Sequence, residues 1–188
     1  MKTLVITLLS CALVGNLLAL DSASRITPEI QAELDAQKRT IAQWAASPVL
    51  VAAVKAQNKS GPLPGMTNGK WRSLKPNDAI VQTLQQNAAS MWLAKKLGAS
   101  NGLYREAFLS AAKGEKAAFA TKPTSYLHAN DEKFEKAMTG QSWQGKPEFD
   151  KSSRSHVVQI STPVLDRGKP IGVLVVGVAM KTMKEMTR

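Results

Sequence analysis

The sequence predicts an α+β domain with its helices first and its antiparallel strands after them, and three observations predict it. Apolar residues recur at spacings of three and four through the first half of the chain, from Ile30 to Trp92. At Asn101-Gly102 the period changes, and two hairpin signals follow, Ala111-Ala112-Lys113-Gly114 and Asp166-Arg167-Gly168-Lys169. Ile171 to Val178 is almost wholly apolar, as a central strand buried on both faces must be. Helices grouped ahead of strands are the pattern of an α+β fold.

Taken in order, the first helix starts at Thr27-Pro28-Glu29, with Thr as cap, Pro at the first helical position and an acid in the first turn. Ile30, Leu34, Ile41 and Trp44 form its apolar stripe, and Pro48 ends or kinks it after Ser47. Val49 to Val54 resumes an apolar run, and Asn58 to Lys70, rich in Gly and Pro, reads as a loop. Trp71 opens a second helical stretch with Ile80, Leu84, Ala88, Met91 and Trp92 inward and Gly98 at its end. Leu103–Leu109 and Glu115–Ala120 read as a paired hairpin. A short helix follows, capped by Asn130, with Asp131 and Glu132 in its first turn, Phe134 and Met138 inward and Gly140 at its end. Val157–Leu165, where Pro163 signals an edge or a bulge, and Ile171–Val178 complete the strands. Met180 to Arg188 is basic and reads as a short helix.

The first residues point to export. Met1-Lys2 is positive, Leu4 to Leu20 is mostly apolar, and the chain turns polar at Asp21-Ser22-Ala23-Ser24. That order predicts a cleaved signal peptide over 1–24 and one domain over 25–188, in the periplasm. Leu17-Leu18-Ala19 and Ser22-Ala23-Ser24 both offer a small residue at the cut, and lipidation of Cys11 is a minor alternative. Cys11 is the only cysteine of the 188 residues, so a cut chain could form no disulfide, thiolate metal site or cysteine nucleophile. With 44% apolar residues it can hold itself together by its core alone. The formal charge of +11 favours anionic partners, though the basic residues are scattered and form no block.

From Gly102 onward the order of short stretches resembles the Cache family, PAS-like extracytoplasmic sensor domains. The stretches are Glu106–Ser110, Gly114, Lys122-Pro123-Thr124-Ser125-Tyr126, Asp131-Glu132-Lys133-Phe134, Phe149-Asp150-Lys151-Ser152, Val158–Val164 and Gly168–Val173. Ala46-Ser47-Pro48, at the end of the long first helix, is also similar. The resemblance implies a long N-terminal helix packed on a central antiparallel sheet. It also implies a small organic ligand, an anion or amino acid by preference, held between the sheet and its covering loops and reported to a membrane-bound signalling partner. The alternative is an interaction protein whose pocket is filled by its own side chains. In that reading the first helix serves as a homodimer contact.

A pocket needs a few polar groups converging inside an apolar lining. The candidates from the cover are Tyr104, Phe108, Lys122, Thr124, Tyr126, His128, Trp143 and Asp150, joined by Gln159 and Ser161 from a strand. Lys122 or Arg105 could pair a ligand carboxylate, and Asp150 an amino group. Trp143, flanked by Gly140 and Gly145, is either a loop anchor or a lid. No catalytic, metal or cofactor site is expected. His128 and His156 are the only histidines, and neither has an acid or a second His at ligand spacing on a helix. Gly140-Gln141-Ser142 begins like a nucleophile elbow, but the second glycine, Gly145, is one place late and no strand-to-helix frame surrounds it. Nucleic-acid binding would need clustered basic and aromatic residues, which are absent.

Overall fold

The computed structural model describes residues 25–150 and 155–180. The expected signal segment, Lys151-Ser152 and the basic tail lie outside these residues. Helix α1 spans Pro28–Ala45, with the Thr27 side chain accepting from the Ile30 amide as its cap. The chain turns at Ser47, and Pro48 becomes the first residue of α2, Pro48–Ser60. Three short helices follow: α3 (Asn68–Ser73), α4 (Ala79–Gln85) and α5 (Ala88–Gly98). Strands β1 (Tyr104–Ala111) and β2 (Lys116–Phe119) form a hairpin, and α6 spans Glu132–Met138. Strands β3 (Trp143–Asp150), β4 (Ser155–Asp166) and β5 (Lys169–Ala179) complete one antiparallel sheet of order β2-β1-β5-β4-β3.

The sheet divides two cores. On one face α1, α2 and α5 pack Ile30, Leu34, Ile41, Leu50, Val54 and Leu93 against Leu109, Val158, Ile160, Leu174 and Val176. On the other, Trp71, Val81, Phe134 and Ala137 from α3, α4 and α6 meet Phe108, Phe119, Val173 and Val175. Successive residues of β5 therefore serve opposite cores, and this is why its sequence is apolar throughout. The apolar stripe of α1 is spent on the sheet, so pairing of two copies through α1 would have to use its exposed positions, such as Ala32, Arg39 and Gln43. No helix among the described residues is long and apolar enough to cross a membrane.

Four expectations need correction. The Asn58–Lys70 loop is shorter, because α2 runs to Ser60 and α3 begins at Asn68. The second helical stretch is three helices. Asn87 starts a new one by capping Ser90, and the inward face falls on Val81, Ala89 and Leu93, leaving Ile80 and Met91 exposed. Asp131, not Asn130, stands at the N-cap of α6, and its carboxylate turns to His128 instead of the helix. Trp143–Asp150 is a strand where the Gly-rich sequence reads as a loop. Its pairing with β4 is broken by an irregularity between Gln144 and Pro147. The edge or bulge that Pro163 signals is present, for β3 pairs with β4 only up to Ser161 and the register with β5 shifts between Val164 and Leu165. Pro163 lies past the last β3 partner, Ser161, where that side of β4 is open and a missing N–H costs nothing.

Candidate functional site

A cleft of about 620 Å³ opens on the face of the sheet opposite α1. Its floor is a cross-strand row. Glu106 on β1 and Gln159 on β4 both pair with Gly177 on β5, one from each side. Gly177 has no side chain, and a Cβ there would lie 2.7 Å from Glu106 Cγ and 2.9 Å from Val157 Cγ1. The bare glycine lets the Glu106 side chain cross the strand and accept from Gln159 Nε2 at 2.5 Å. From α6, Lys133 Nζ donates to Gln159 Oε1 at 3.0 Å, so that a carboxylate, an amide and an ammonium form one chain across the floor.

Phe108, two residues along β1, forms the apolar part of the inner wall. His128 stacks on it at 4.9 Å, and Lys116 Nζ lies 3.8 Å from its ring centre. Lys116 is fully buried and donates to Ser110 Oγ at 3.3 Å. Burial, then repulsion from Lys133, holds its ammonium well below the ordinary lysine range. His128 Nδ1 is 2.5 Å from Asp131 Oδ2. Burial first, and Lys116 second, lower the His128 pKa to about 4, so the ring is neutral at pH 7.

The outer wall is the segment Thr121–Thr124, fixed by Trp71. Trp71 Nε1 donates to the Pro123 carbonyl at 2.7 Å, and Lys122 Nζ donates to the Trp71 carbonyl at 3.0 Å. Asn68 ties the next residues down, accepting from the Tyr126 and Leu127 amides and donating to the Leu127 carbonyl. Arg105, Glu148 and Phe149 form the rim, the last of them 56% exposed.

Of the residues expected from sequence, the cleft brings together Phe108, Lys122, Thr124, His128 and Gln159, with Arg105 at its mouth. Tyr104 lies on the opposite face, against Trp44, with its hydroxyl on Gln37. Tyr126 is core, its hydroxyl accepting from the Leu63 amide and its ring beside Trp71. Ser161 is buried and binds α6 to the sheet by donating to the Lys133 carbonyl. Trp143 folds over Gly145 on β3 and does not line the cleft. The Asp150 side chain lies outside the described structure.

Glu106, Lys133 and Glu148 are not among the sequence candidates, nor is Lys116 behind the wall. The sequence does carry a signal for Lys116, a lone lysine within the apolar strand Glu115–Ala120. Lys133 reads in sequence as an ordinary helix-surface lysine. Among the described residues no group of three or more His, Cys, Asp or Glu could hold a metal ion.

The chain aligns with the sensor domain of the V. cholerae histidine kinase DctB over 93% of its own length and 58% of that chain, with a TM-score of 0.56 and 17% identity. The extracellular domain of vpHK1S-Z8 aligns over 92% of this chain and 59% of that one, with a TM-score of 0.51 and 15% identity. The fold is that of a Cache-type sensor domain. The chain spans less than two thirds of the length of either structure. The ligand-binding domain of the Pseudomonas aeruginosa PAO1 amino acid chemoreceptor PctC, in complex with GABA, aligns more loosely. Its TM-score is 0.44 at 14% identity, over 92% of this chain and 61% of that one. No family model and no curated protein matches the sequence.

Proposed function

We propose that this chain is a periplasmic ligand-binding domain that captures a small organic anion or amino acid in the cleft over Gly177 and reports it to a membrane-bound signalling partner. The observation that carries the reading is the floor of the cleft. Lys133, Gln159 and Glu106 are ordered by one another across a glycine, beside an aromatic wall, in a space the size of a metabolite. Few polar groups fixed against apolar lining are what a small-molecule site requires. Lys133, Lys122 and Arg105 outnumber Glu106 and Glu148 around the opening, which favours an acid group on the ligand. Phe108, Lys122, Thr124, His128 and Gln159 are the contacts retained from the sequence candidates.

The rival reading, a pocket filled by the protein's own side chains, expects Tyr104, Phe108 and Trp143 to point inward together. Of these three, Phe108 alone lines the cleft. Export by a cleaved signal over 1–24 belongs to the same proposal. Mass spectrometry of protein recovered from the periplasm should find a new N-terminus between residues 20 and 25.

A thermal-shift screen with carboxylates, amino acids, polyamines and purines tests the reading. A ligand at 100 times its dissociation constant stabilises a fold by about 2.7 kcal/mol, a rise of a few degrees for a domain of this size. A flat screen across all four classes overturns it.

A further inference from the structure

Two buried side-chain polar atoms among the described residues have no hydrogen-bond partner, Glu115 Oε1 and His128 Nε2. Glu115 lies outside the cleft lining and its other oxygen accepts from the Lys113 amide, so it points to no ligand. His128 is different. It is 7% exposed, it lines the cleft, and its ring is fixed from two directions, by the Phe108 stack and by Asp131.

A carboxylate oxygen accepts, so the ring proton stands on Nδ1 and Nε2 keeps its lone pair. The neighbouring lysines and Gln159 each already have a partner. Lys133 Nζ gives to Gln159, Gln159 Nε2 gives to Glu106, Lys122 Nζ gives to the Trp71 carbonyl, and Lys116 Nζ gives to Ser110. The cleft therefore offers the ammonium groups of Lys133 and Lys122, and His128 Nε2 is its one buried side-chain acceptor without a partner among the described residues. A bare carboxylate would set an oxygen lone pair against the nitrogen's own. A hydroxyl or amino group would satisfy it.

We propose that His128 Nε2 determines specificity by accepting a hydrogen bond from a hydroxyl or amino group of the ligand, an organic acid whose carboxylate lies against Lys133 and Lys122. This rests on the ligand-binding reading above and adds to it the requirement for a donor close to the acid group. A site built around a buried acceptor rejects the analogue that leaves it unpaired, here by a factor on the order of 10 to 100.

Calorimetric titration of the purified protein at pH 7 with matched probes tests it: lactate against propionate, alanine against propionate, and malate against succinate. The inference predicts that within a binding pair the hydroxylated or aminated member is tighter by that factor. It further predicts that the ¹⁵N resonance of His128 Nε2 moves with that member, and that His128→Phe, which keeps the stack on Phe108, erases the difference. Should the variant fail to fold, the paired affinities and the resonance of the unaltered protein decide alone. Equal affinity within every binding pair, tighter binding of the unsubstituted acid, or a stationary Nε2 resonance overturns the inference and leaves the ligand-binding reading standing. Failure of all five probes and of the wider screen overturns both.

Discussion

His128 and Lys116 are buried titratable groups whose pKa values desolvation lowers, and each has a measurable consequence. The unfolded chain protonates His128 near pH 6.5, whereas the folded ring takes its proton only near about 4. Folded stability is therefore full above about 6.5 and falls as pH drops toward 4, by roughly 3 kcal/mol from this residue alone. Urea denaturation at pH 7, 5.5 and 4.5 should show a decline that is visibly shallower in His128→Phe. Parallel declines in the two proteins would contradict the burial assigned to the ring. Lys116 is the reverse experiment. Its Nζ is fully buried with a single hydroxyl as hydrogen-bond partner. Replacing this poorly hydrogen-bonded buried group by an apolar side chain of similar length removes its desolvation cost, on the order of 1–3 kcal/mol. Lys116→Met should accordingly raise the melting temperature by several degrees, and a lowered one would mean that Ser110 and the nearby Glu106 and Asp131 offset the burial of Lys116 fully.

At the scale of elements, close approach and local ties decide what each can tolerate. A Cβ on Gly172 of β5 would lie 2.4 Å from the Ser110 carbonyl and 2.8 Å from Val54 Cγ1, so neither β1 nor α2 could stay in place. Gly172→Ala should cost about 3 kcal/mol and lower the melting temperature by roughly 10 °C. Asn68 makes three hydrogen bonds from α3 to Tyr126 and Leu127. Asn68→Ala should loosen the Tyr126–His128 segment, and hydrogen exchange there should rise well before that of β5. The same contrast explains what is legible in the sequence. α1, the β1–β2 hairpin and β5 declare themselves through a cap, a turn glycine and an unbroken apolar run, all of them local. β3 does not, because Gly145 and Pro147 look like loop residues, and only the exposed side of a sheet tolerates them as a strand. The polar floor of the cleft is half legible. Gln159 stands out as a polar residue within an apolar strand. Lys133 and Glu106 acquire meaning only when α6 is laid over β4 and β5.

For the whole molecule, one sheet separates two cores, and the cleft lies in the second, on the face away from α1 and below the segment that Trp71 and Asn68 hold down. The proposed ligand site thus lies against β5, the last strand of the described sheet. The central claim is that the row Glu106–Gly177–Gln159, with Lys133 above it, is the floor of a binding site. The measurement that tests it most directly is calorimetry of the purified protein and of Lys133→Met and Gly177→Ala, each with the tightest acid found by screening. The account predicts a single site in the unaltered protein, with affinity reduced at least 10-fold in both variants while they remain folded. Undiminished affinity in both variants would place the ligand elsewhere and contradict it.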